Sequence, residues 1–401
     1  MTDRYDAIVI GLGGMGTATA FHLARRGQRV LGLEQHDLLH ELGSSHGLTR
    51  IIRLAYHEDP SYVPLLRRSY ELWHELETIA GETLLVTTGS LEGGPEDGPT
   101  FRGALEAAEL HDLPHEVVTA GELRRRYPAY AGFDDSTHLV WQPDGGFLLA
   151  ERTMLAHVNA AMSHGADLRF REPVRSWEAT GDGGVCVVSE NGAYEANRLV
   201  ITAGAWARRL IPQLETLAVP ERQVLAWLQP SRPELFEPDR FPVFVVDVPE
   251  GTYYGFPVHD VPGFKIGKYH HLGEPIDPDD TDRTARADDE EVLRAFATRY
   301  FPDGAGPTVM LKACIFTNSP DEHFIIDRLP KSPQVGIAAG FSGHGYKFCS
   351  VVGEIMADLA MRGETGHDIG LFRLNRFDPT YGHPVRQLRA APHAATYSPR
   401  E

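Results

Sequence analysis

The sequence predicts an α/β protein: a Rossmann-type nucleotide-binding domain, discontinuous along the chain, with a second domain built on an antiparallel sheet. Three observations predict this. A β-turn-α-β unit with a glycine fingerprint opens the chain, two later apolar runs each end at glycine, and strand-rich sequence lies between them.

The first strand is residues 6–10, an Ala-Ile-Val-Ile run suited to burial on both faces. Glycines follow, then a helical stretch over 15–26 that Gly27 closes as a C-cap, then a second strand over 29–34. The later runs are 199–204 and 335–340. The second is followed by a helix with Val351, Val352, Ile355, Met356 and Leu359 on one face, and both runs can rejoin the N-terminal sheet. Residues 241–246 and 251–257 read as antiparallel strands of the second domain. The acidic stretch 277–288 reads as a solvated loop and the tail beyond Pro384 as loosely ordered. The expected division is 1–84, 150–217 and 322–385 for the nucleotide domain, 85–149 and 218–321 for the substrate domain, and 386–401 for a tail.

Composition narrows the functional classes. The 401 residues suit about two domains, and 42% apolar with 23% charged content is ordinary for a globular chain. A net charge of -18 disfavours nucleic acid or an anionic membrane as the main partner, because both require a basic face. Three cysteines, Cys186, Cys314 and Cys349, are too few for a disulfide framework and point to a reducing compartment. Residues 7–24 lack charged groups, but four glycines interrupt them and no basic cluster frames them, so the expectation is a soluble, cytoplasmic protein. No metal site is expected.

Gly11-Leu12-Gly13-Gly14-Met15-Gly16 matches G-x-G-x-x-G. The first glycine makes the strand-to-helix turn, the second admits a pyrophosphate, and the third lets the helix pack on the strand. The helix N-terminus offers free N–H groups to the phosphates. Glu34, 18 residues after Gly16, ends the second strand where an acid should hold ribose hydroxyls. The motif alone does not separate FAD from NAD.

Two further segments carry candidate chemistry. Gly43-Ser44-Ser45-His46-Gly47-Leu48-Thr49-Arg50-Ile51-Ile52-Arg53 sets arginines beside apolar residues. If Ile51 and Ile52 are packed, Arg53 needs a compensating anion, either a ligand carboxylate or a structural salt bridge. Phe341-Ser342-Gly343-His344-Gly345-Tyr346-Lys347-Phe348 joins a strand to a helix whose positive end faces back to the loop, where it can stabilise negative charge on a planar ligand. Lys347 reads as a mobile cation near that ligand or as a solvated lysine.

These segments, together with Tyr62-Val63-Pro64, Glu71-Leu72-Trp73, Tyr253-Tyr254-Gly255-Phe256-Pro257, Ile276-Asp277-Pro278-Asp279 and Asp321-Glu322-His323-Phe324-Ile325-Ile326-Asp327, resemble the monomeric sarcosine oxidase and N-methyltryptophan oxidase family. The motifs stand in family order from about residue 4 to about 375. The resemblance implies a D-amino-acid-oxidase-like flavoprotein fold and FAD rather than NAD, joined covalently through Cys314. It implies a small amine substrate whose carboxylate Arg53 and Lys347 bind, with Tyr254 and His270 lining the pocket. Lys265 would activate molecular oxygen beside the flavin, and His46 and Arg50 would contact its ring. Ser44, Gly343 and Gly345 fall in the same cofactor-binding motifs. A monomer is implied.

One departure from the family pattern concerns the substrate. Lys268 is an extra residue in Gly267-Lys268-Tyr269-His270-His271, so the oxygen lysine is Lys265 or Lys268 and the pocket histidine His270 or His271. Leu48 also replaces a polar position. The expected reaction is oxidative dealkylation of an N-methyl or other secondary amino acid, yielding hydrogen peroxide. Other readings are an oxidase of a cyclic or bulkier amine, a dehydrogenase with another electron acceptor, and a non-catalytic flavin-binding subunit.

Overall fold

The computed structural model describes residues 4–377 apart from residue 281, so the expected tail at 386–401 lies outside the described residues. The chain opens with strand β1 (Tyr5–Ile10), helix α1 (Gly14–Ala24) and strand β2 (Val30–Leu33). Helix α1 ends two residues earlier than expected, and Gly27 at φ +79° closes the turn that follows it. Every residue of α1 is buried. Its small side chains let it pack against the helix Cys349–Arg362, where a Cβ at Gly353 would meet Ala18 at 2.6 Å.

Both later glycine-terminated runs return to this sheet as expected. The strand Ala193–Ile201 pairs in parallel with β1, Ile201 opposite Ile10, and the strand Ser332–Ala339 pairs in parallel with it, Ile337 opposite Ile201. Leu33 of β2 also stands opposite Ile10, so four parallel strands end in register. Gly11, Glu34, Thr202 and Gly340 therefore emerge at one edge, the carboxyl-end crevice where such sheets bind ligands. Val174–Ala179, Val185–Ser189, Asp167–Arg169 and Ile325–Leu329 complete an eight-stranded sheet.

The second sheet has nine strands. One end of it is the long antiparallel pair Val219–Leu228 and Thr308–Asn318, with Gln223 opposite Cys314. Phe264–Lys268 pairs with the other edge of Val219–Leu228, then follow Gly251–Phe256 and Val243–Val248, antiparallel as expected. Side chains alternate across this sheet. Val224, Ala226, Phe264 and Ile266 face an aromatic core with Phe236, Phe241, Phe244 and Phe301, whereas Leu225, Trp227 and Cys314 cluster apart from it.

A third, small sheet joins strand β3 (Thr49–Ile52) to Gly146–Leu149 and Leu85–Thr87. The division expected at 84/85 and 149/150 passes between β3 and these partners. Among the described residues between 277 and 288, none belongs to a helix or strand until Ala287 starts the helix Ala287–Tyr300, and Asp289 just beyond is fully buried. Among the described residues, no helix is long and apolar enough to cross a membrane.

Candidate active site

The carboxyl ends of the parallel strands open onto an elongated cavity with an empty volume of about 1780 Å³, its mouth included. One end is made of backbone. Gly11 leaves β1 at φ +88°, and a Cβ there would lie 2.7 Å from the Thr202 carbonyl oxygen. A Cβ at Gly16 would overlap the Gly11 carbonyl oxygen, so α1 reaches the strand only without a side chain. Gly13 is different: a Cβ there would meet only the Ser45 hydroxyl, at 3.2 Å, which leaves its backbone open on the cavity. Gly14 and Met15 line the same end, and the Gly14 N–H donates to Ser45 Oγ at 3.1 Å. Glu34 accepts from Leu12 N–H at 2.8 Å and His36 N–H at 3.0 Å, while burial pushes its carboxyl pKa up. Trp206 and Arg209 continue the wall beyond it.

The opposite end is made of charge. Arg53 is 1% exposed; it is ion-paired with Glu58 at 2.9 Å and with Glu92, and its guanidinium lies 4.5 Å from the Tyr56 ring centre. Two protein carboxylates thus supply compensation for the burial of Arg53. Lys347 is buried rather than solvated. It is 3% exposed, donates to the His344 carbonyl at 2.8 Å and lies 5.0 Å from the same Tyr56 ring. Burial, and then the Arg53 charge, push its pKa down to about 7. His344 Nε2–H donates to the Glu322 carbonyl at 2.9 Å, which leaves Nδ1 to accept from the Tyr56 hydroxyl at 2.6 Å.

Lys265 lines the middle of the cavity from Phe264–Lys268. Its Nζ donates to the carbonyls of Gly47 at 2.7 Å and Thr49 at 2.8 Å and to Thr49 Oγ1 at 3.1 Å. Burial pushes its pKa down. Two carbonyls and a hydroxyl satisfy this nitrogen as an ammonium and equally as an amine that accepts from the Thr49 hydroxyl. Lys268, three positions on and so on the opposite face of the strand, lies over Tyr253 at 5.8 Å and does not border the cavity.

The expectation for His270 needs correction, because neither His270 nor His271 lines the cavity. His270 Nδ1 faces Glu221 at 3.1 Å and Nε2 faces Glu322 at 3.2 Å, while His271 Nε2 contacts Asp289 at 2.9 Å. The extra residue is absorbed in a turn with His270 at φ +56° and His271 at φ +27°, and it is Tyr269 that borders the cavity.

The remaining candidates divide. Ser44, Arg50, Tyr254, Cys314, Gly343 and Gly345 all line the cavity. Arg50 donates to the carbonyls of Thr49 and Ser44, both at 2.8 Å, and to that of His46. Gly343, at φ +77°, leaves room for the Phe316 ring, which a Cβ would overlap. Cys314 is 5% exposed; Cys349 also borders the cavity, with its thiol pKa pushed up by burial, whereas Cys186 does not border it. His46 is buried just behind the wall, and both its ring nitrogens lack partners among the described residues. The open glycine cradle and the acid beside it fit a bound dinucleotide. Sequence reasoning missed His57, Glu58 and Glu92. The first two stand four and five positions after Arg53, but no periodicity marks them, and Glu92 comes from a separate strand.

Comparison with known proteins agrees with this geometry. Residues 6–359 match the family described as FAD dependent oxidoreductase. The chain is 43% identical over 397 residues to a monomeric sarcosine oxidase of Streptomyces avermitilis, covering 98% of this chain and 100% of that one. It is 35% identical over 375 residues to an N-methyl-L-tryptophan oxidase of Yersinia pestis, covering 93% and 99%. Among solved structures, NikD, an unusual amino acid oxidase essential for nikkomycin biosynthesis, superposes with a TM-score of 0.80 at 26% identity, covering 93% of this chain and 98% of that one.

Proposed function

The chain belongs to the FAD-dependent amine oxidases of the sarcosine oxidase type, which act on CH–NH donors, and from that premise we propose that its substrate is a secondary amino acid held by its carboxylate. One observation carries this reading: two buried cations, Arg53 and Lys347, flank the single Tyr56 ring at one end of the cavity. Clamping the carboxylate there orients the amine and its α- or N-methyl C–H within the cavity, which removes orientational freedom from the reaction. When bound, FAD supplies the two-electron oxidation of the C–N bond. The imine from an N-alkyl substrate hydrolyses to an aldehyde and the dealkylated amino acid, whereas that from a cyclic substrate keeps its carbon chain in one piece. Lys265, its hydrogens committed to residues 47 and 49, acts by charge rather than contact, favouring reduction of oxygen to hydrogen peroxide. Cys314 is the residue for a thioether to the flavin, and the working unit is a monomer.

The wall of Ile51, Val245, Tyr254, Phe256, Tyr269 and Phe316 is apolar and aromatic, which favours a cyclic or bulkier secondary amino acid over the smallest ones. A peroxide assay across N-methyl and cyclic amino acids tests both statements. Turnover should require the carboxylate; equal turnover of the decarboxylated amines would remove Arg53 and Lys347 from substrate binding.

A further inference from the structure

Arg53 is gripped by two carboxylates before any ligand arrives. Glu58 takes its Nη2 and Glu92, 2% exposed, faces its Nε. Among the described residues Nη1 makes no hydrogen bond, so it is the nitrogen left to a ligand in the cavity that Arg53 lines. In formal charge, Arg53 and Lys347 are matched by Glu58 and Glu92, two against two. A ligand carboxylate would be a third anion in a buried space, and an unmatched buried charge is strongly disfavoured.

One neighbouring side chain can supply the missing positive charge. His57 Nδ1 lies 2.8 Å from Glu92 Oε2 and 3.4 Å from Glu58 Oε2. Two acceptors do not face each other at 2.8 Å, so Nδ1 carries a hydrogen and Nε2 is the nitrogen that titrates. The side chain is 12% exposed, which gives solvent protons a route to it. Burial, and then Arg53 Nη2 at 3.1 Å, oppose a charge on the ring; Glu58 and Glu92 favour it, and the net effect raises the His57 pKa. Among the other titratable neighbours only Lys347, its pKa pushed down to about 7 by burial and the Arg53 charge, can share the uptake of a proton. Burial pushes the phenol pKa values of Tyr56 and Tyr269 up, and that of His344, 3.9 Å from Glu58, down to about 4.

We propose that a substrate carboxylate binds at Arg53 and Lys347 together with a proton taken up at His57 Nε2, so that the His57–Glu92 pair sets the charge balance of the carboxylate site. This rests on the reading of Arg53 and Lys347 as that site. His57 and Glu92 are positioning residues here, since neither lines the cavity.

Acetate titrated calorimetrically into flavin-loaded protein, between pH 6 and 9 in buffers of different ionisation enthalpy, tests it. Each proton taken up should raise the acetate Kd up to about tenfold per pH unit. His57→Asn keeps an N–H toward Glu92 but cannot be charged, so it should lower the slope of log Kd against pH by about one, while any share belonging to Lys347 persists. Glu92→Gln removes an anion instead and should lower proton uptake by a similar amount, which serves if His57→Asn does not fold. Wild-type binding without proton uptake, or an unchanged slope in the variants, overturns the proposal. Flavin-loaded protein that binds no acetate at any pH overturns the carboxylate site as well, which separates the two failures.

Discussion

At the end of the cavity lined by Gly11, Gly13 and Gly14 the wall is bare backbone, whereas at the end lined by Arg53 and Lys347 it is charge gathered from separate segments of the chain. The first end works by what is missing: a Cβ at Gly11 or Gly16 would strike a carbonyl oxygen. The second works by mutual compensation, since Arg53, Lys347 and His57 stay charged or chargeable in a buried place because Glu58 and Glu92 accompany them. A steric site is all-or-none, while a compensated site can be tuned one charge at a time.

The largest expected effect breaks the steric end. Gly16→Ala puts a methyl into the Gly11 carbonyl, and little flavin-loaded protein should be recovered, read from the ratio of flavin to protein absorbance. A Gly16→Ala protein with full flavin content would abolish the contrast between the two ends. Next in size, Lys265→Met should slow reoxidation by oxygen by about 10²–10³-fold, the scale for removing a preorganised charge, while anaerobic reduction changes little. Stopped-flow measurement of both half-reactions checks this, and equal losses would take Lys265 out of the oxygen step.

Arg53→Met should weaken carboxylate binding by about 10²-fold and lower stability by about 3–5 kcal/mol, because it strands Glu58 and Glu92. Adding Glu92→Gln should return part of that stability in a denaturant titration; no recovery would mean the charges are not coupled. The smallest effect is expected at Cys314→Ser. Its flavin should be released by acid precipitation where that of the wild type stays with the protein, at a stability cost below about 1 kcal/mol. Flavin released equally from both would rule out the thioether.

The two ends were not equally legible. The glycine spacing and Glu34 lie within residues 11–34, and each has a local steric or hydrogen-bonding reason that can be read in order. The return of residues 199–204 and 335–340 to the first sheet was legible too, because buried parallel strands read as continuous apolar runs. Glu92 was not, since it lies 39 residues beyond Arg53 on another sheet and nothing along the chain links the two. The turn at 268–271 was only half legible: the extra residue was visible, but which side chain meets the cavity depends on where the backbone absorbs it. Left-handed conformations at His270 and His271 send both imidazoles to carboxylates elsewhere and leave Tyr269 at the wall.

The placement of β1 also governs when the protein can become functional during synthesis. One strand neighbour, β2, follows directly, but the other is Ala193–Ile201, and that strand in turn waits for Ser332–Ala339. At translation rates of about 5–20 residues per second, the apolar N-terminal strand–helix–strand unit stands without the rest of its sheet for on the order of half a minute. A ribosome stalled anywhere before residue 339 would hold a chain whose first ten residues are finished and useless, a natural target for chaperones and for aggregation alike.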